Sequence, residues 1–243
     1  MEASSDRRES WSKASRPYLL ALLASVLIGI LLRMRIIYNY QAQHYSSNEV
    51  LDLVRNTILA VYLILLGLFL LLTFRGFLPG LDRRPRLITR RFTRMLGVLA
   101  SLQLVANLIS VNVTIYRLKV ESYELLTESF ALYLSINLCF MFWYWYWDHP
   151  LRDAVFSGSE HHSIPQGIMF PEEQMEDHFL HTDSWLPGPV DYLYFTILSS
   201  NCFGSPEGHL LIGRRLKLLQ IIHTIFMILV FIIIVARAIN TLS

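Results

Sequence analysis

Hydrophobic residues occur along the chain in long blocks that are separated by polar stretches. A block of about twenty apolar residues crosses a hydrocarbon layer of about 30 Å as an α-helix. Five blocks have this length, and a shorter amphiphilic segment at 190–204 precedes the last of them. The pattern predicts an all-α integral membrane fold, a bundle of five transmembrane helices plus a short segment that is either re-entrant or a sixth span. The five helices are predicted at about 17–37, 56–74, 95–116, 125–147 and 218–236.

The polar stretches divide the chain into four regions. Residues 1–16 form a polar N-terminal segment, and the apolar run after it has no small-residue cleavage site, so we expect no removable signal peptide. Residues 17–147 form a four-helix transmembrane region, and 148–189 form a polar, acidic loop that five prolines interrupt. Residues 190–243 hold the shorter segment and the final helix. A loop of this length is usually functional or disordered.

Composition excludes several classes of protein. A hydrophobic share of 53%, a charged share of 16% and a mean hydropathy of +0.41 exclude an ordinary soluble domain. A net charge of +2 gives no reason to expect a nucleic-acid partner. Cys139 and Cys202 lie in apolar or membrane-adjacent sequence and provide neither a disulfide framework nor a cysteine zinc site. The sequence has no catalytic or phosphate-binding motif, so we expect no enzyme activity, cofactor or metal site.

Charged residues predict the direction in which the helices cross the membrane. Seven arginines and a single acid, Asp82, lie between residues 75 and 94, so the positive-inside rule places this connection in the cytoplasm. Counting helices from there places the N-terminus and the acidic loop in the cytoplasm too. If 190–204 spans completely, the cations at 214–217 lie outside and the C-terminus inside. If the segment re-enters, the cations stay inside and the C-terminus lies outside, which the rule favours.

The segment from 190 to 208 is the main functional candidate. Backbone at membrane depth is tolerated only where protein buries it or where it lines a water-filled cavity. An aromatic short helix, two hydroxyl residues, Asn-Cys-Phe-Gly, a proline break and a spanning helix follow one another. This order resembles the pore-helix, filter and inner-helix unit of the potassium-channel superfamily, whose filter presents backbone carbonyls to dehydrated cations. The resemblance implies a pore for monovalent cations, with candidate residues Thr196, Ser199, Ser200, Asn201, Cys202, Phe203 and Gly204.

Two departures from that superfamily limit what the resemblance implies. Cys202 takes the place of the first filter glycine, and a cysteine does not easily adopt the positive φ that glycine allows there. Potassium selectivity is therefore not carried over. The loop is also predicted to enter from the cytoplasm, whereas the channel filter lies near the outer face, so an inverted pore like that of glutamate receptors is required.

Most of the chain also resembles a family of uncharacterised bacterial multi-pass membrane proteins, a domain of unknown function. The matching features are the Arg-rich connection, the aromatic end of the fourth helix, Phe170-Pro171, the run 191–196, and a terminal helix with His223 and Asn240. The resemblance implies an integral protein of the bacterial inner (plasma) membrane with a cytoplasmic N-terminus. It leaves the activity open.

Polar residues within the predicted helices are further candidates. Glu128, His223 and Asn240 lie in or next to apolar helices, where an ionisable or polar group suggests function. An interfacial Glu128 and a buried, neutral, hydrogen-bonded His223 are the structural alternatives. Gln103 and Asn107 lie four residues apart on one helix face, and we expect them to hydrogen-bond to a neighbouring helix.

Two further clusters have ordinary interpretations. The six aromatic residues at 142–147 indicate an interfacial belt that anchors the fourth helix. Histidines and carboxylates between 161 and 181 have the chemistry to hold a divalent cation, but a solvated acidic loop is favoured because such spacings are common by chance.

The sequence leaves two functions open. One is a pore subunit, a homo-oligomer in the lipid bilayer that places 199–204 around an axis, since one short loop cannot enclose a pore. The other is a small transporter or a non-conducting accessory protein whose re-entrant segment packs against its own helices.

Overall fold

The computed structural model describes residues 2–43, 90–117, 122–156, 167–174 and 186–242, together with Gly67. Within these residues the chain forms α-helices, a two-stranded antiparallel sheet and a 3₁₀-helix at Pro171–Gln174. The sheet pairs β1 (Ile168–Met169) with β2 (Leu210–Leu211). The helices are α1 (Glu2–Gln43), α2 (Arg90–Arg117), α3 (Ser122–Phe156), α4 (Pro189–Cys202) and α5 (Arg214–Leu242).

Four of the described helices contain a stretch that is long and apolar enough to cross a membrane. They coincide with the first, third, fourth and last predicted spans, which confirms a mostly helical fold with helices of membrane-spanning length. The second predicted span, 56–74, lies outside the described residues apart from Gly67. The four stretches are Ala14–Arg35, Arg90–Ile109, Leu126–Pro150 and Arg214–Val235.

α3 packs against the other four described helices, and α1 runs antiparallel to it. Tyr18 stacks on Trp145 with ring centroids 4.4 Å apart. Further along α1, Ser25 Oγ lies 2.9 Å from Ser135 Oγ. Because residue numbers rise on one helix as they fall on the other, the start of the apolar stretch of α1 lies beside the end of α3.

α2 and α5 run in the same direction as α1. At the end of α3, Tyr146 Oη donates a hydrogen bond to the carbonyl of Arg90, and the guanidinium of Arg215 lies over the ring of Trp147. Later residues of both helices contact earlier residues of α3, namely Ser101 with Cys139 and His223 with Phe140.

Basic side chains collect at the end of the bundle where these three helices start. We call this the basic end. The opposite end holds the last turns of α2 and α5 and the first turns of α3. The cations of the basic end are Arg16, Arg90, Arg91, Arg94, Arg152, Arg214, Arg215 and Lys217.

α1 and α2 are joined by side-chain amides that bond to backbone carbonyls. Gln103 Nε2 donates to Val26 O at 2.7 Å, and Asn107 Nδ2 donates to Gly29 O at 3.1 Å. Gly29 allows this approach, since a Cβ there would lie 2.5 Å from Asn107 Nδ2. The prediction that these two polar residues bond to a neighbouring helix is confirmed.

The aromatic run at the end of α3 is packed inside the bundle. Four of its six members are buried, and the rings contact one another, Tyr18 on α1, Phe195 on α4 and the first turns of α2 and α5. The prediction of a membrane-facing belt is therefore wrong for these four, because sequence alone does not distinguish an aromatic ring at an interface from one in a core. The buried members are Phe142, Tyr144, Trp145 and Tyr146, and Trp143 and Trp147 are half-buried.

The region predicted as a polar loop starts as helix. α3 continues through Pro150 to Phe156, and β1 and the 3₁₀-helix follow at 167–174. The rest of the loop, including the histidines at 161–162 and the acidic cluster at 175–181, lies outside the described residues.

A test of the packing uses Gly97 on α2, where a Cβ would lie 2.4 Å from Phe142 Cε1 and 3.0 Å from Trp143 Cζ2. Gly97→Ala improves helix propensity by about 1 kcal/mol. The added methyl group displaces two packed rings, however, and we expect this cost to be larger, with a net loss of about 1–2 kcal/mol in the free energy of unfolding. Thermal denaturation in detergent, followed by size-exclusion chromatography, measures the change. Val98→Ala, at an exposed position of the same turn, should leave the midpoint nearly unchanged. An equal or higher midpoint for Gly97→Ala would contradict the observed contact.

Candidate functional site

α4 starts with a well-formed cap. Pro189 occupies the first turn, where its missing N–H costs nothing. The carboxylate of Asp191 accepts a hydrogen bond from the N–H of Gly188 at 2.6 Å and places a negative charge at the positive end of the helix. With 14 residues, α4 is about 21 Å long, which is shorter than a hydrocarbon layer of about 30 Å.

α4 enters the bundle from the basic end and runs antiparallel to α3. Near its start, Tyr192 Oη donates to Asp148 Oδ2 at 2.5 Å. Near its end, Ser200 Oγ donates to Asn137 Oδ1 at 2.8 Å. Because α5 is also antiparallel to α3, α4 and α5 start at the same end and run in the same direction.

The carboxyl end of α4 lies well short of the opposite end of the bundle. Beyond it, Thr224 Oγ1 donates to the carbonyl of Phe203 at 3.4 Å. Thr224 follows the start of α5 by ten residues, which corresponds to about 15 Å along its axis. The end of α4 is therefore about 15 Å from the start of α5, which equals half the thickness of a hydrocarbon layer of about 30 Å.

The chain then returns to the basic end before α5 starts. The ring of His209 lies 5.4 Å from the rings of Phe195 and Phe170. β2 pairs with β1, and Ile212 N donates to Gly167 O at 3.1 Å. Residues 203–213 thus run back beside α4 toward its start.

The inner face of α4 carries three of the predicted filter residues, Thr196, Ser199 and Ser200, and all three are buried. Ser200 Oγ contacts both Asn137 on α3 and, at 3.0 Å, His223 Nε2 on α5. This contact joins three helices. The Thr196 hydroxyl donates to carbonyls of its own preceding turn, and Ser199 Oγ is buried without a hydrogen-bond partner.

The donors and acceptors in this network determine which ring nitrogen of His223 carries the hydrogen. Ser200 has one hydroxyl hydrogen and donates it to Asn137, so His223 Nε2 is the donor in the 3.0 Å contact. Nδ1 then carries no hydrogen and lies 3.4 Å from Tyr144 Oη. The Tyr144 hydroxyl donates its hydrogen to Gln220 Oε1 at 2.7 Å. The structure thus agrees with the buried, hydrogen-bonded alternative for His223.

The remaining predicted filter residues lie at the outer side of the end of α4. Asn201 Oδ1 accepts a hydrogen bond from Tyr133 Oη at 3.2 Å, and the Phe203 ring packs edge-on against Phe231. The predicted filter residues therefore fall into two groups. The hydroxyl residues face the interior of the bundle, and the other four residues face outward at the end of α4. Asn201, Cys202 and Phe203 are exposed, and Gly204 is half-buried.

The backbone at this end presents carbonyls and a negative dipole. The last four carbonyls of an α-helix have no partner within the helix and carry its negative end. Phe203 ends α4 in the left-handed region, with φ 52° and ψ 29°, which is uncommon for a residue other than glycine. Ser199 to Cys202 stay helical, so the positive φ falls on Phe203, and the carbonyls do not form an extended filter. The end of α4 and the amide oxygen of Asn201 are groups that attract a cation.

Two other sequence candidates lie away from this site. Glu128 is buried, with an exposed fraction of 2%, and lies nine residues before Asn137, about 13 Å along α3. It lies toward the opposite end of the bundle. Asn240 belongs to the last turns of α5, about 24 Å beyond Thr224. Neither is brought to the end of α4.

A charged cluster that the sequence analysis missed holds the start of α4 to the end of α3. Asp148 is fully buried and accepts hydrogen bonds from Ile168 N at 2.7 Å, Arg152 Nε at 2.5 Å and Tyr192 Oη. Arg152 also pairs with Glu173 and donates to the Ile168 carbonyl. Gly167 permits this arrangement, because a Cβ there would lie 2.1 Å from Asp148 Oδ1.

The charge of Arg152 is maintained despite its partial burial. Burial lowers the pKa of Arg152, but the hydrogen bond to Glu173 and the charge of Asp148 raise the pKa further, so it lies above its usual value. The only local signal for this cluster is the i, i+4 spacing of Asp148 and Arg152.

Two members of the His223 network, Tyr144 and Gln220, were also not predicted from the sequence. A signal for Gln220 was present, because it is a polar residue one turn before His223 in an apolar helix.

A matched pair of serines tests the three-helix contact. Ser200→Ala removes a partner of both Asn137 and His223, so we expect a loss of about 1 kcal/mol of stability. Ser199→Ala removes a buried hydroxyl without a partner and should be neutral or stabilising. Both midpoints are measured by thermal denaturation in one detergent. Equal effects of the two substitutions would contradict the assigned roles.

Comparison with protein-family models, curated proteins and solved structures gives no match to this chain. Within the described residues, no group of three or more metal-binding side chains is close enough to hold an ion.

Proposed function

We propose that the protein is an integral membrane protein in which α4 is a re-entrant half-helix and its carboxyl end forms part of a path for monovalent cations. Several copies surround the path, because a single short helix cannot enclose it. The site consists of the terminal carbonyls of α4 with Asn201, Cys202 and Phe203.

The charge distribution supports an orientation for this arrangement. The basic end and the Arg-rich connection at 75–94 belong in the cytoplasm by the positive-inside rule. The direction of the helices agrees with this orientation, since α2, α4 and α5 all start at the basic end. α4 then enters from the cytoplasm, and the return at 203–213 leaves the cations at 214–217 on the same side.

The observation that carries the proposal is the position of the end of α4. In the proposed orientation, its last carbonyls, which have no partner within the helix, and three exposed residues lie at about the middle of a hydrocarbon layer. Lipid provides no hydrogen-bond donor there, so such backbone requires water, an ion or neighbouring protein. Half-helix carboxyl ends at mid-membrane are suited to cations because of their negative dipole. The side chains seen to contact this end, Tyr133, Thr224 and Phe231, carry no charge.

The second function, a small transporter or a non-conducting accessory protein, is favoured by one observation. Ser199 and Ser200 are turned into the bundle and Ser200 is fully engaged with Asn137 and His223. An α4 that is packed in this way serves as a structural element of its own chain. This alternative requires a monomer or a dimer without cation flux.

Flux from liposomes distinguishes the two functions. Purified protein should release K⁺ or Na⁺ faster than protein-free liposomes, with little release of Cl⁻. Asn201→Leu removes an amide oxygen at the end of α4 and should lower cation flux about tenfold, as expected for the loss of one interaction with a charged group. Val190→Ala, at an exposed position at the start of α4, is the control. Folded wild-type protein that passes no cation in either direction would overturn the pore proposal.

Cys202 provides a chemical test for water at the end of α4. Thiolate is the reactive form of cysteine and needs a polar environment. Cys202 is exposed, whereas Cys139 is buried. In native membranes, a cationic methanethiosulfonate reagent should modify Cys202, and faster than the anionic reagent of similar size because of the helix dipole. Cys202→Ser should abolish labelling. A Cys202 that reacts with neither reagent until detergent is added would show that no aqueous path reaches it.

A further inference from the structure

An open groove runs along the side of the bundle between α2 and α5. It has a volume of about 450 Å³, and its floor is formed by α3. The wall residues are almost all apolar, among them Leu104, Phe140, Trp143 and Phe226. The volume is within the range of sites for small organic ligands, about 300–1,000 Å³. The groove is separate from the end of α4, which lies on another side of α5.

The length of the groove corresponds to one leaflet of a bilayer. Arg215 lies at its mouth at the basic end, and Phe226 lies eleven residues further along α5. This separation is about 16 Å along the helix, about half of a hydrocarbon layer of about 30 Å. The groove thus extends from the level of lipid headgroups to the level where the acyl chains of one leaflet end.

A cation is held at the mouth of the groove. The guanidinium of Arg215 lies 5.2 Å from the centroid of the Trp147 ring, a contact that orients it beside the groove. In the described part of the chain, Arg215 has no carboxylate partner. The contact with the ring is not a hydrogen bond, so the N–H donors of the guanidinium remain available for a phosphate. Arg214 and Lys217 add positive charge on the same turn.

We propose that the groove binds an anionic phospholipid of the surrounding bilayer, with one acyl chain along the apolar walls and the phosphate on Arg215. The apolar length, the lateral opening and a cation at headgroup level that no described carboxylate pairs with together fit this ligand. Basic pockets between helices on the cytoplasmic side of membrane proteins bind such headgroups. The proposal requires that the protein lies in a bilayer and is independent of the cation path.

Lipid titration tests the headgroup preference. The full chain, purified in detergent, is titrated with dioleoyl phosphatidylglycerol or with dioleoyl phosphatidylcholine, and bound lipid is counted by native mass spectrometry. We expect one phosphatidylglycerol to bind about tenfold more tightly than phosphatidylcholine, as a charge-assisted contact requires. Equal affinities for the two lipids would overturn the proposal.

Two neighbouring arginines provide the matched variants. Arg215→Gln should remove the preference for phosphatidylglycerol and leave the weaker acyl-chain binding. Arg214→Gln removes the same charge one residue away, outside the groove lining, and should retain most of the preference. If both variants lose the preference equally, the attraction is a diffuse surface charge and the site is refuted.

A third variant tests whether the acyl chain lies in the groove. Ile222→Trp places a larger side chain on the groove wall at a position that is already exposed, so the fold should tolerate it, as thermal denaturation without lipid will show. Binding of both lipids should fall. Unchanged phosphatidylglycerol binding, or a lipid-free dimer that Ile222→Trp dissociates, would show that the groove is not a lipid site.

Discussion

The interior of a bilayer cannot satisfy backbone hydrogen bonds, and the proposed placement of the protein in a membrane subjects every described helix to that constraint. The four long helices, α1, α2, α3 and α5, satisfy this constraint over their apolar stretches through continuous backbone hydrogen bonds within each helix. α4 is the exception, because it ends at about mid-depth with its last carbonyls unpaired within the helix. Among the described residues, this end is supported by the contacts of Ser200 with Asn137 and His223 and of Thr224 with the Phe203 carbonyl. In the proposed pore, its outer side faces water, an ion or another subunit.

The length of the hydrophobic blocks is sufficient to predict the long helices, because a continuous apolar run of about twenty residues has few alternatives to an α-helix in an apolar environment. The amides of Gln103 and Asn107 were also predictable, since a polar pair on one face of an apolar helix requires a partner helix. The Asp148 cluster was not. Its carboxylate is bonded by groups twenty and forty-four residues away, and no local pattern indicates that these positions meet.

The candidate site was predicted as a segment but not in its detail. A gap-free alignment with a filter treats residues 199–204 as one extended run. In the structure, helical periodicity places Ser199 and Ser200 on the buried face of α4 and turns Asn201 and Cys202 outward, since consecutive residues differ by about 100° around a helix. No local pattern indicates that the helix continues through these residues, because Phe203 is not a residue that commonly ends a helix in the left-handed conformation.

α5 and the ring of Phe140 connect the two proposed sites. One side of Phe140 stacks on His223, with centroids 4.3 Å apart, and the same residue lines the groove. Protein interiors are closely packed, so a displacement of this ring toward or away from the groove changes the space available to His223. His223 in turn donates to Ser200 on α4. An acyl chain in the groove and the position of the α4 end are therefore separated by a single aromatic ring and one hydrogen-bonded pair, a shorter connection than any that runs through the cluster at Asp148.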